Sequence, residues 1–249
     1  MGGSCLARGG KMPQRWEQVT VDGSPMGCFL AAPEGAGPFP GVLVVQHAPG
    51  VDEFIQEICQ RLAGEGYVAI APELYHRETE EQRQDDPLTR MGRLRDAEIA
   101  RDVDAAVERL RSLPEVDGER VGIVGFCMGG RVALMMAALN PAFKACVDFY
   151  GGNIMVAWGE GPAPIDLVPQ LRCPVLGLFG AEDTNPSPQD VARLDQEMTR
   201  HGKPHQFHSY PGAGHAFLNR FRPTYRPEAA ADAWRKCLDF LARHLRRGA

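Results

Sequence analysis

Apolar positions fall into two alternating patterns along the chain. Continuous runs recur at Val42 to Gln46, YVAIAPELY (67–75), RVGIVGF (120–126), FKACVDFYG (143–151) and CPVLGLFGAED (173–183). Runs this short and this uniformly apolar predict strands covered on both faces. Between them lie amphipathic segments. DEFIQEICQRLAGEG repeats its apolar positions at Phe54, Ile58 and Leu62, the spacing of one helix face, and Gly64 or Gly66 stops it. Further helices are predicted over Asp96 to Leu113, 127–140, 187–202 and Ala229 to Leu245. QRWEQVTVDG and SPMGCFLAAP predict an antiparallel opening pair around a turn at Asp22-Gly23, and HQFHSYPGAGHAF predicts a last strand and loop. Residues 76–95 are polar, carry both charge signs and predict a surface excursion with a short helix. Strands separated by helices predict an α/β fold with a mostly parallel central sheet flanked by helices on both faces. With no internal repeat and no linker between two cores, residues 13–249 are expected to form one domain after a frayed tail at 1–12, with Met12 as an alternative start.

Composition narrows the class. The chain has 249 residues, a net charge of −5 and a sequence pI near 5.8. This balance argues against a nucleic-acid or anionic-membrane partner. No apolar stretch reaches the 18 residues of a membrane span, and MGGSCLARGGKM has neither the apolar core of a secretory signal nor the myristoylation pattern, since position 6 is Leu6. The seven cysteines form no CxxC pair and no zinc-ligand spacing with the histidines. They are expected to be free thiols in a reducing cytoplasm, and no metal is expected.

Chemistry concentrates in Gly125-Phe126-Cys127-Met128-Gly129-Gly130, which follows an apolar strand and opens a helix. That is the context of a nucleophile elbow, here with Cys in place of the usual Ser. A thiol at a helix N-terminus meets a positive dipole end and free amide donors, which favour the thiolate. A Gly-rich turn of this kind also binds phosphate, but the P-loop Lys-Ser/Thr and the third Gly of a dinucleotide fingerprint are missing. A base and an orienting acid then follow in the order acid, histidine: Asp183 in GAEDTNP and His215 in PGAGHAF, each just past a predicted strand. Glu182 is the local rival for the acid. An oxyanion needs two backbone donors, here the N–H groups of Met128 and Ala48.

The sequence resembles the dienelactone hydrolase (carboxymethylenebutenolidase) family of α/β-hydrolases from about residue 16 to 245. The resemblance rests on GFCMGG, GAED, GAGHAF, VVQHAPGVDEF, GYVAIAPELYHR and FYGG. It implies a Cys–His–Asp triad on Cys127, His215 and Asp183, and hydrolysis of a small-molecule lactone or ester through an acyl-enzyme, without metal or cofactor. Two departures stand out. The family pattern has Glu after the Gln of the first loop, where it meets the thiol; here that residue is His47, whose imidazolium would favour a resting thiolate. The family also holds a substrate carboxylate with arginines. One lies four residues after the catalytic His, where this chain has Asn219, followed by Arg220 and Arg222; the other lies in the charged excursion, where Arg83, Arg90, Arg93 and Arg95 are candidates. Arg220 and Tyr150 are expected at the substrate pocket. The alternatives are a broader carboxylesterase or thioesterase on a substrate lacking a carboxylate, and a non-catalytic thiol sensor.

Overall fold

A computed structural model describes residues 13–246. β1 (Gln14–Val21) and β2 (Ser24–Ala31) pair antiparallel. Asp22 and Gly23 join them with φ of 51° and 77°, the two positive values that a tight turn compatible with strand twist requires. β3 (Phe39–Val45), β4 (Val68–Pro72), β5 (Val116–Phe126), β6 (Phe143–Phe149), β7 (Val175–Gly180) and β8 (His205–Tyr210) are parallel to one another. The sheet has eight strands in the order β1-β2-β4-β3-β5-β6-β7-β8, so the sequence-based expectation of a mostly parallel α/β sheet holds.

The crossover segments are helical because each has one apolar stripe and a start signal. α1 (Glu53–Gly64) begins where the Asp52 carboxylate accepts the N–H groups of Phe54 (3.1 Å) and Ile55 (3.3 Å). It buries Phe54, Ile55, Ile58 and Leu62. A short helix, α2 (Pro87–Arg93), lies inside the charged excursion and is capped by Asp86. α3 (Asp96–Arg111), α4 (Met128–Leu139), α5 (Pro188–Arg200) and α6 (Pro227–Leu245) complete the set. Buried residues of α1 and α6 join one apolar cluster, and those of α3, α4 and α5 another, which places helices on both faces of the sheet.

Some boundaries differ from the pattern-based reading. β5 starts four residues early, at Val116, because Val116 and Asp117 extend the pairing with Phe39 and Pro40 before a register shift. β4 stops at Pro72, because Glu73, Leu74 and Tyr75 turn away to bond the loop after β3. α3 ends at Arg111 and α6 starts at Pro227. Six of the cysteines fall among the described residues as free thiols, and of these only Cys127 is not buried. Cys5, the tail at 1–12 and the start at Met12 lie outside the described residues.

Candidate active site

The loops that carry the candidate residues all leave carboxyl ends of parallel strands, the edge where open α/β sheets form their sites. Cys127 follows β5 directly, with φ 57° and ψ −123°. A non-glycine residue in this region is strained, and such strain gathers at functional positions. The turn is possible only because its neighbours lack side chains. A Cβ on Gly125 would lie 1.8 Å from the Gly129 carbonyl oxygen, and one on Gly129 would lie 2.4 Å from that of Val45. The elbow therefore packs α4 backbone onto β5 and β3, with Cys127 at the helix N-terminus.

Asp183 follows β7 and is buried, while Glu182 beside it is exposed. Asp183 Oδ1 accepts the N–H of Asn185 (2.9 Å), and Oδ2 accepts from His215 Nδ1 (2.8 Å). His215, after β8, lies beside Cys127 on the wall of one cavity and close enough to interact with it electrostatically. Burial alone would lower the His215 pKa. The Asp183 hydrogen bond and the interactions with Cys127 and the Asp183 charge outweigh it and raise the imidazole to about 10. The structure thus brings together Cys127, His215 and Asp183, and leaves Glu182 aside.

These three line a cavity of about 590 Å³ with His47, Ala48, Pro49, Leu88, Met91, Met128, Tyr150, Asn153, Asn219 and Arg222 among its walls. Neither Met128 N–H nor Ala48 N–H has a hydrogen-bond acceptor among the described residues. The Ala48 turn closes through Gly50 N–H donating to the His47 carbonyl (2.9 Å), with Gly50 at φ 102°.

The remaining expected residues divide. Tyr150 is on the cavity wall, fully buried, with its ring 5.2 Å from the His215 ring; its hydroxyl has no partner among the described residues. His47 also reaches the cavity, but its ring turns to other partners. Nε2 lies 2.8 Å from Asp52 Oδ1, at an angle too poor for a directed hydrogen bond, and the ring packs on Phe54. Arg220 is a correction. Its guanidinium pairs with Glu57 at 2.7 Å and lines a separate, smaller cavity beside α1. The irregular loop after His215 sends Asn219 and Arg222 to the site and Leu218 and Arg220 to the other cavity, with no regular period. The excursion arginines are also elsewhere. Arg90 and Arg93 pair with the half-buried Glu78 at 2.7 and 2.8 Å, Arg95 donates to the carbonyls of Gly92 and Leu94, and Arg83 is exposed near Glu80. Arg222 is the one arginine or lysine on the cavity wall, and it has no anionic partner among the described residues.

Three residues escaped the sequence reading, Gln46 and Tyr75 buried and Glu73 half-buried. Gln46 Oε1 accepts the Leu74 N–H (2.9 Å), Glu73 accepts the Val51 N–H (3.3 Å), and the Tyr75 hydroxyl donates to the Ala48 carbonyl (2.7 Å). In sequence each sits at the end of an apolar run, where a core residue gives the same signal. Among the described residues no group of three or more His, Cys, Asp or Glu is placed to hold a metal ion, and no helix is long and apolar enough to cross a membrane.

Comparison with known proteins identifies the family and the fold. A protein of Methylorubrum extorquens provisionally named carboxymethylenebutenolidase is 39% identical over 221 residues, covering 87% of this chain and 76% of its own. The crystal structure of a protein provisionally named dienelactone hydrolase from Klebsiella pneumoniae superposes with a TM-score of 0.87 at 36% identity, over 94% of this chain and 100% of that one. A dienelactone hydrolase-like promiscuous phosphotriesterase from metagenomic libraries gives 0.80 at 25% identity, over 94% and 99%. The profile of the dienelactone hydrolase family matches residues 26–245. By fold, by strand-end loops and by this match over most of its length, the chain belongs to the dienelactone hydrolase family, carboxylic ester hydrolases of the α/β-hydrolase fold.

Proposed function

We propose that the protein hydrolyses a lactone or an activated carboxylic ester through Cys127, His215 and Asp183. The observation that carries this is the His215 imidazole, hydrogen-bonded to the buried Asp183 and sharing one cavity with the strained Cys127. The thiolate attacks the carbonyl carbon, and the oxyanion forms where the free N–H groups of Met128 and Ala48 receive it. Collapse expels an alkoxide or enolate, which His215 protonates, leaving a thioester on Cys127. In a lactone the leaving oxygen stays attached to the acyl chain. His215 then takes a proton from water, hydroxide adds to the thioester carbon, and the acid departs as the Cys127 thiolate re-forms. A thiolate is itself a good leaving group, so the intermediate partitions forward only from an activated ester; an amide is a poor substrate.

Arg222 supports a substrate that carries a carboxylate, since a guanidinium without an ion-pair partner among the described residues favours an anion on its side of a wall that also carries Asp86. The withdrawal of Arg220, Arg90 and Arg93 to carboxylate partners favours a second reading, an ester without a carboxylate. One experiment separates them: steady-state hydrolysis of cis-dienelactone, its methyl ester and p-nitrophenyl acetate by wild type, Cys127→Ser and Arg222→Ala. Cys127→Ser is expected to lose turnover by about 100-fold or more. On the carboxylate reading Arg222→Ala raises KM about tenfold for the lactone acid alone. Equal KM changes for acid and methyl ester support the second reading, and hydrolysis at the wild-type rate by Cys127→Ser contradicts the proposal.

A further inference from the structure

We infer that Tyr75 is a positioning residue: its hydroxyl sets the Ala48 turn for the oxyanion, and its ring links that turn to helix α2 over the cavity. This rests on the oxyanion role proposed for Ala48.

The Ala48 turn has two peptides whose orientation matters. The first, between His47 and Ala48, carries the N–H of a cavity-lining residue, and that N–H has no acceptor among the described residues. Gly50 N–H holds its carbonyl at 2.9 Å. The second, between Ala48 and Pro49, has no N–H, because Pro49 lacks one. Its carbonyl has one hydrogen-bond donor among the described residues, the Tyr75 hydroxyl at 2.7 Å. Without that bond the second peptide is free to rotate, and the two share the Ala48 Cα. Tyr75 is 2% exposed, so water does not replace the phenol at this carbonyl. Burial raises the Tyr75 pKa, so the hydroxyl stays a donor. The same hydroxyl lies 3.7 Å from the sulfur of Met128, whose N–H is the other candidate donor.

The opposite end of Tyr75 meets the excursion. The Arg90 guanidinium of α2 stacks over the Tyr75 ring at 4.1 Å and is fixed by Glu78 at 2.7 Å. On the same helix Leu88 and Met91 form part of the cavity wall. One continuous contact path therefore runs from the residues that cover the substrate, through Arg90 and Tyr75, to the carbonyl beside the oxyanion donor. Gln46 and Glu73 brace the same two segments on either side. A phenol that only filled core would not need its hydroxyl on the turn, and a lid arginine that only fixed α2 would not need the ring.

The test is steady-state kinetics of Tyr75→Phe and Arg90→Met with p-nitrophenyl acetate, beside the rate of Cys127 alkylation by iodoacetamide and the thermal melt. Tyr75→Phe keeps the ring and its packing. The expected result is kcat down about tenfold with KM within twofold and alkylation unchanged, because the turn is misplaced only where charge develops. Arg90→Met, which leaves the hydroxyl in place, lowers kcat about threefold with the same split. Wild-type kcat in Tyr75→Phe, or a loss confined to KM or to the melt, overturns the inference while leaving Cys127 as nucleophile. Hydrolysis that survives Cys127→Ser overturns the underlying reading and this inference with it.

Discussion

Asp148 shows what one buried group does to the whole site. It lies at the end of β6, fully buried, with Oδ1 accepting the Gly151 N–H (2.7 Å) and Oδ2 without a partner among the described residues. Burial pushes its pKa up to about 7, against the smaller downward pull of the Gly151 bond and the His215 charge. A carboxyl raised from 3.8 to about 7 on folding stabilises the fold fully below its unfolded value, and this stability is lost as pH rises through 7. Asp148→Asn, neutral at every pH, is therefore predicted to melt higher than wild type at pH 8 and to keep only a smaller part of that advantage at pH 5. The thermal midpoints of both proteins at the two pH values check this, and a constant offset would contradict it. At this scale the sequence made much of the site legible. Order along the chain and position after a strand single out Cys127, Asp183 and His215, because these depend on topology alone. It did not make Arg220 or Tyr75 legible. Which way a side chain leaves an irregular loop has no period, so Arg220 and Arg222, two residues apart, look equivalent until the loop is folded.

Among the elements, the join between α3, α4 and the loop after β6 depends on one buried ion pair. Arg131 of α4 has no exposed surface. Its guanidinium donates to both oxygens of Asp96 at 2.5 and 2.9 Å, and to the carbonyls of Asn153 (3.2 Å) and Val156 (2.6 Å). It also stacks on Trp158 at 4.1 Å. Asp96 in turn accepts the Trp158 N–H (2.8 Å). Removing one charge leaves the other buried and unpaired, a loss of about 3–5 kcal/mol. Asp96→Asn is predicted to destabilise the fold by about that amount in urea unfolding; a change below about 1 kcal/mol would mean that the guanidinium finds another partner. Periodicity located all of these helices to within a few residues. It misjudged ends where pairing outside the element decides, as at Val116, which extends β5 against Phe39, and at Pro72, beyond which Glu73 and Tyr75 bond the loop after β3.

For the molecule as a whole, the parallel strands gather four chain segments at one edge: the turn after β3, the elbow after β5, and the loops after β7 and β8. The alternation of strands and helices made this gathering readable before any coordinates, since parallel strands with crossovers must release their loops at one edge. Helix α2 over the cavity was not readable in the same way, because a polar run does not tell what its few apolar residues cover. The central claim is that the gathered edge performs acyl transfer on Cys127. It is tested most directly by quenching p-nitrophenyl acetate turnover in acid within the first cycle, then weighing the intact protein and its peptides. The account predicts one added acetyl group, carried by the peptide containing Cys127, and accumulating when His215 is replaced by Gln after slow loading. Turnover with no acetyl on Cys127, or with the group on another residue, would contradict it.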